Sequence, residues 1–101
     1  MLNFRNLYGY GDIKKVNIEK ALEAGQRYVY FKLYQSVIRF DLMSKSNLRV
    51  ERGNSVEEFE CVERESNDNI MRYRRGSRYY TFTIEGSNLV MEYENYDGCL
   101  L

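Results

Sequence analysis

Hydrophobic and polar residues alternate with a period of two along much of this chain, and the phase is clearest between Arg74 and Tyr96. Two Gly-Ser steps, Gly76-Ser77 and Gly86-Ser87, lie ten residues apart, each flanked by alternating runs. Glycine followed by a polar residue suits a type II′ hairpin turn, because glycine takes the positive φ of the first central position without a Cβ clash. Centring a hairpin on the first step sets Tyr73 opposite Tyr80 and Met71 opposite Phe82. Centring one on the second sets Tyr80 opposite Tyr93, Phe82 opposite Met91 and Ile84 opposite Leu89. Both pairings gather apolar residues on one face, as a sheet with one buried side requires. The pattern predicts a C-terminal three-stranded meander with Phe82 the most buried residue on its apolar face.

The same period runs from Arg27 to Leu42. Val29, Phe31 and Leu33 alternate with Tyr28, Tyr30, Lys32 and Tyr34, and after Gln35-Ser36 the phase flips to Ile38, Phe40 and Leu42. A hairpin centred on Gln35-Ser36 pairs Leu33 with Ile38, Phe31 with Phe40 and Val29 with Leu42, but it sets Lys32 against Arg39. A bulge in one bent strand would flip the phase equally well. Ser44 to Asn47 reads as a turn and Leu48 to Glu51 as a short strand. Arg52-Gly53-Asn54-Ser55 turns into a strand over Val56–Arg64, with Phe59 matching Val50 and Cys61 matching Leu48, a register that sets Glu51 beside Glu58. Glu65 to Asn69 is a polar loop.

Before Arg27 the pattern changes. Leu2, Phe4, Leu7, Tyr8 and Tyr10 surround Gly9 and Gly11, and two glycines so close disfavour helix and strand alike, so a loop with core-docking aromatics is expected. Asp12 to Ala24 is the helical candidate: Ile18, Ala21 and Leu22 keep i, i+3, i+4 spacing, Asn17 suits the N-cap, and Gly25 suits the C′ position. The segment Asp12–Val16 either extends this helix or runs as a short strand. The expected fold is α+β: one short N-terminal helix followed by six to seven antiparallel strands, in a strongly curved sheet or small barrel. Residues 1–101 are read as a single domain, with no proline and no Ser/Gly-rich linker.

Composition narrows the chemistry. No run approaches the roughly 18 apolar residues of a membrane span, and Met1 to Gly11 lacks the pattern of a secretory signal. Cys61 and Cys99 are therefore expected as reduced thiols in a cytoplasmic protein. The chain has no histidine, the commonest general base and zinc ligand, and no phosphate-cradling glycine loop, EF-hand loop or nucleophile elbow. These absences point away from an enzyme, and no cofactor is implied. Glu92 and Glu94 share a strand face and could hold a cation, although a solvated strand face near Arg74 and Arg78 explains them more simply.

Net charge is zero, yet residues 1–50 carry +5 and residues 51–101 carry −5. Within the acidic half, Arg72, Arg74, Arg75 and Arg78 cluster around Gly76-Ser77. Acidic runs on both sides, Glu57, Glu58 and Glu60 before and Glu92 and Glu94 after, would neutralise these arginines across neighbouring strands. Alternatively the arginines are a binding tip, whose charge reversal at Arg75 and Arg78 leaves the fold intact. Ten tyrosines are the other distinctive feature. Tyr73, Tyr80 and Tyr93 fall on the core face, whereas Tyr28, Tyr30, Tyr34 and Tyr79 fall on outer faces. Tyrosine and arginine together are the composition of interaction hot spots.

Two functional expectations follow. The first is a protein-binding module that acts by occupying a partner through Tyr28, Tyr30, Tyr34, Tyr79 and the arginine tip. The second is a binder of a phosphate-bearing ligand, a nucleotide or single-stranded nucleic acid, held by Arg72, Arg74, Arg75 and Arg78 with a stacked tyrosine. In size and composition the whole chain resembles the small accessory proteins of phages and mobile elements, several of which block host defence enzymes by direct binding. That resemblance implies an inhibitor with a protein target, working in the host cytoplasm if phage-encoded.

Overall fold

A computed structural model describes residues 12–96, and the side chains from Lys14 onward. The expectations for the N-terminal aromatic segment and for Cys99 lie outside the described residues.

The chain runs β1 (Asp12–Asn17), α1 (Ile18–Glu23), β2 (Tyr28–Leu33), β3 (Ser36–Asp41), β4 (Leu48–Arg52), β5 (Ser55–Cys61), a 3-10 turn (Glu63–Glu65), β6 (Ile70–Arg75), β7 (Arg78–Glu85) and β8 (Asn88–Asn95). The strands form one antiparallel sheet of order β1-β8-β7-β6-β5-β4-β3-β2. It has eight strands where six to seven are expected, because Asp12–Asn17 takes the strand alternative and pairs with β8 ahead of the helix. The sheet curls until its two edges, β1 and β2, approach one another, giving a nearly closed barrel.

Phe82 shows how complete the curl is. Its ring lies 5.6 Å from Phe31 of β2, 4.4 Å from Phe40 of β3 and 5.7 Å from Tyr73 of β6, so strands from opposite walls meet on one fully buried side chain. Tyr73, Tyr80, Phe40, Ile38, Leu48, Val50, Leu89 and Met91 complete the interior. The C-terminal meander has the expected register at every pair, from Met71 opposite Phe82 to Ile84 opposite Leu89. Gly76 and Gly86 take φ of +64° and +62°, the conformation for which glycine suits these turns.

Two other registers differ from expectation by two residues. The β2–β3 turn is Tyr34-Gln35, so Leu33 faces Ser36, Phe31 faces Ile38, and Arg39 stands opposite Tyr30. The β4–β5 turn is Gly53-Asn54, so Phe59 faces Leu48 and Glu58 faces Arg49. A slip of two keeps every side chain on its face, and here it removes both like-charge pairs, Lys32 with Arg39 and Glu51 with Glu58. β5 also ends earlier than expected, at Cys61. The following turn is held by Ser66 Oγ, which donates to the Val62 carbonyl and accepts from the Arg72 amide.

The helix is short and capped as its sequence predicts. The Asn17 side chain accepts from the Lys20 amide at 2.9 Å, and Gly25, at φ +77°, lets the chain leave the last turn. Only Ala21 of α1 is buried, and the Ile18 amide donates to the Ser87 carbonyl, so the helix sits at the end of the sheet where β1 finishes and the β7–β8 turn lies. Because the strands alternate strictly, the connections at 34–35, 53–54 and 76–77 share the opposite end. On β1, Lys14 sits across from buried Met91, on the core side of an edge strand. An inward-aimed charge at such a position discourages a foreign strand from adding to the edge.

Candidate functional site

The arginine tip is built by the divergence of two strands. β5 follows β6 for only two residue pairs, Glu60 with Arg74 and Cys61 with Tyr73, while its earlier residues follow β4. Alternation puts Arg75 and Arg78 on the core side of their strands, facing the gap this divergence leaves, and Glu57 occupies the core side of β5. Arg78 Nη1 donates to both Glu57 carboxylate oxygens, at 3.0 and 2.9 Å, and its Nε donates to the Tyr93 hydroxyl at 3.1 Å. The same guanidinium lies 5.1 Å over the Phe59 ring. Arg75 Nε lies 3.3 Å from Glu57, and Arg75 Nη1 donates to the Glu58 carbonyl at 3.2 Å. The hydrogen bond from Arg78 holds the Glu57 carboxyl below its ordinary range, against the opposing effect of burial. Burial pulls the Arg78 guanidinium down, but its bonds to Glu57 and Tyr93 outweigh this and raise it.

Arg72 is similarly engaged, on the outer face. It lies 3.3 Å from Glu65 and 3.4 Å from Glu94, and its guanidinium stacks 4.3 Å over Tyr79. Tyr79 makes an edge contact with Tyr96 at 5.7 Å and is half-buried in this cluster. Glu94 is itself buried, accepting from the Tyr96 hydroxyl at 2.6 Å and from Arg72. It is a structural acceptor, where the sequence suggests a solvated face. Among the described residues no three metal-ligating side chains converge. Arg74, exposed and opposite Tyr79, makes no ion pair among the described residues.

The tyrosines of β2 are presented differently. β2 is an edge strand, paired only to β3. Tyr28 is half-buried beneath Arg39 and Arg27, whose guanidinium carbons stand 4.4 and 5.2 Å from its ring centre. Tyr30 is 54% exposed and Tyr34 80% exposed. α1 does not cover them. Instead Tyr28 and Tyr30 form one wall of a cleft of about 370 Å³, with Val16, Asn17, Lys20 and Ala21 opposite. Tyr34 holds the first position of the hairpin turn at φ +55°. For a bulky side chain this left-handed conformation costs about 1–2 kcal/mol.

The structure therefore separates two groups that the sequence places together. Arg72, Arg75, Arg78 and Tyr79 are bound up in internal contacts, whereas Tyr30 and Tyr34 face solvent with Tyr28 behind them. Arg39 and Arg49, opposite one another on β3 and β4, are not among the residues singled out from the sequence. Their meeting depends on a register that the turn sequence conceals, so no local signal marks them. The chain matches no protein-family model, no curated protein and no solved structure.

Proposed function

We propose that this chain is a non-enzymatic binding protein that acts by occupying a protein partner, with the outer face and tip of β2 as its contact surface. The observation that carries this reading is Tyr34, a large aromatic ring held in solvent on a strained turn residue where glycine or asparagine would sit without cost. Strain retained at an exposed position supports a functional reading. It does so the more at Tyr34, whose side chain has, among the described residues, no internal bond of the kind that ties the other left-handed non-glycine residue, Lys45, to Tyr73. Tyr30, on the strand that leads into this turn, adds a second exposed ring, and tyrosine gives large contact area for little lost conformational entropy. The likeness in size and composition to phage and mobile-element accessory proteins extends the reading to an inhibitor of a host defence protein.

A phosphate ligand at the Gly76-Ser77 tip would have to displace Glu57, Glu65 and Glu94 from three of the four arginines there. This favours the β2 tyrosines over the tip. The test compares wild type with the Tyr30→Ser/Tyr34→Ser double variant as baits in an extract of the native host, followed by titration of the retained protein in purified form. Loss of binding by a variant that melts normally supports the reading. Equal affinity for both baits removes β2 as the contact.

A further inference from the structure

We propose that Arg39 and Arg49 form a phosphate-binding site on the outer face of the β3–β4 pair, taking the phosphoryl group of a small phosphorylated ligand. The two residues stand directly opposite each other in the antiparallel register, where like charges destabilise a sheet unless something neutralises them. The neighbouring carboxylates do this poorly. Glu51 Oε2 lies 3.4 Å from Arg49 Nε, and that buried Nε, like Arg72 Nε and Arg78 Nη2, has no hydrogen-bond partner. Unlike Arg72 and Arg78, Arg49 has no second carboxylate or hydroxyl contact among the described residues to compensate. Glu58, across from Arg49 on β5, makes no ion pair with it. Arg39 makes no ion pair among the described residues.

Arg39 instead packs on an aromatic ring. Its guanidinium carbon stands 4.4 Å from the Tyr28 ring centre, a contact that uses the charge without supplying a hydrogen-bond acceptor for its N–H groups. Between the arginines lies a cleft of about 170 Å³ lined by Arg39, Asn47, Leu48, Arg49, Glu58 and Phe59. Pockets that enclose whole drug-sized ligands measure roughly 300–1,000 Å³, so this one suits a single group rather than a whole molecule. The two guanidinium groups supply donors only, the Asn47 side chain can turn its NH2 toward an oxyanion, and two positive charges match a phosphate dianion better than a carboxylate monoanion. Glu58 lines the same cleft and must turn outward as the anion enters.

The site is independent of the partner-binding reading, since inorganic phosphate needs neither Tyr30 nor Tyr34. The test follows the arginine Nε–H resonances of the whole protein by NMR while inorganic phosphate, acetate or chloride is added at matched ionic strength. Saturable, concerted shifts of Arg39 and Arg49 with phosphate are expected, about tenfold tighter than with acetate. Arg39→Gln or Arg49→Gln should weaken phosphate binding by about tenfold or more, while Arg74→Gln leaves it unchanged. Shifts that fail to saturate, or that chloride reproduces, overturn the site. Acetate binding as tight as phosphate overturns its assignment to phosphate. The wild-type titration decides the matter even where a variant does not fold.

Discussion

The Tyr73 hydroxyl, on β6, donates to the backbone carbonyl of Lys45, in the connection between β3 and β4. Lys45 takes a left-handed φ of +57°, so one buried phenol ties down a strained turn from across the barrel. Burial also raises the Tyr73 phenol above its ordinary range, which favours the protonated, donating form. Tyr73→Phe should leave the Lys45 carbonyl without its partner and lower stability by about 1 kcal/mol. A urea titration that shows no change in midpoint would mean that water replaces the phenol at no cost.

Phe82 contacts rings from three other strands. Phe82→Ala should cost about 3–5 kcal/mol, a large share of the stability of a domain this size. The check is the unfolding midpoint in denaturant. A loss below about 1 kcal/mol would show that the barrel collapses around the missing ring.

Arg78 is a core-side residue, so its replacement is expected to disturb the fold, unlike the surface change suggested by its place beside a glycine turn. Arg78→Glu sets a carboxylate against Glu57 and removes the Arg78 Nε donor from the Tyr93 hydroxyl. A loss of about 1–3 kcal/mol is expected, with partial recovery when Glu57→Gln is added. A double-mutant cycle reads the coupling, and strict additivity would disprove the pair.

Asp41 gives a pH dependence. Its carboxylate accepts from Arg27 Nε and Nη2 and from the amides of Met43 and Ser44. The Arg27 hydrogen bonds hold it well below the ordinary carboxylate range; burial opposes them and the backbone amides assist. A carboxyl depressed in the folded state stabilises fully above its unfolded value, about 3.9, and loses that contribution as the pH falls through the folded value. Asp41→Asn should therefore lower the melting temperature most at neutral pH, with the gap to wild type closing in acid. A gap independent of pH would place the cost in packing rather than charge.

Legibility in the sequence followed turn chemistry. Gly76-Ser77 and Gly86-Ser87 announce their hairpins, and there the register reads off residue by residue. Tyr34-Gln35 announces nothing, because a tyrosine at positive φ is not a turn signal, and the true pairing from Leu33 to Arg39 lies two residues from the one the pattern suggests. The slip left the core faces intact, since faces depend only on odd or even position, so Val29, Phe31, Ile38 and Phe40 were all legible as buried. What it lost was the outer-face pairing of Tyr30 with Arg39; Arg39 meets Arg49 through the separate β3–β4 register, for which Ser44 to Asn47 offers no hairpin signature. β1 was ambiguous because Lys14 breaks its alternation on the core side. The arginine cluster and its neutralisation by the preceding acidic run were legible as charge pattern, and Glu57 does pair with Arg75 and Arg78; the core-side placement of these pairs was not, because the departure of β5 from β6 has no local sequence mark.

The left-handed tyrosine at position 34 also bears on how this protein would respond to selection. A library screened for heat resistance alone would accept glycine or asparagine there, since either relieves the backbone at no cost to the core. Such winners would be tougher folds with a blunt tip. Under the proposed β2 contact, a screen scored on capture of a protein partner would reject the same substitutions. The substitution spectrum at this one codon, compared between the two screens, therefore separates what the chain needs in order to fold from what it needs in order to act.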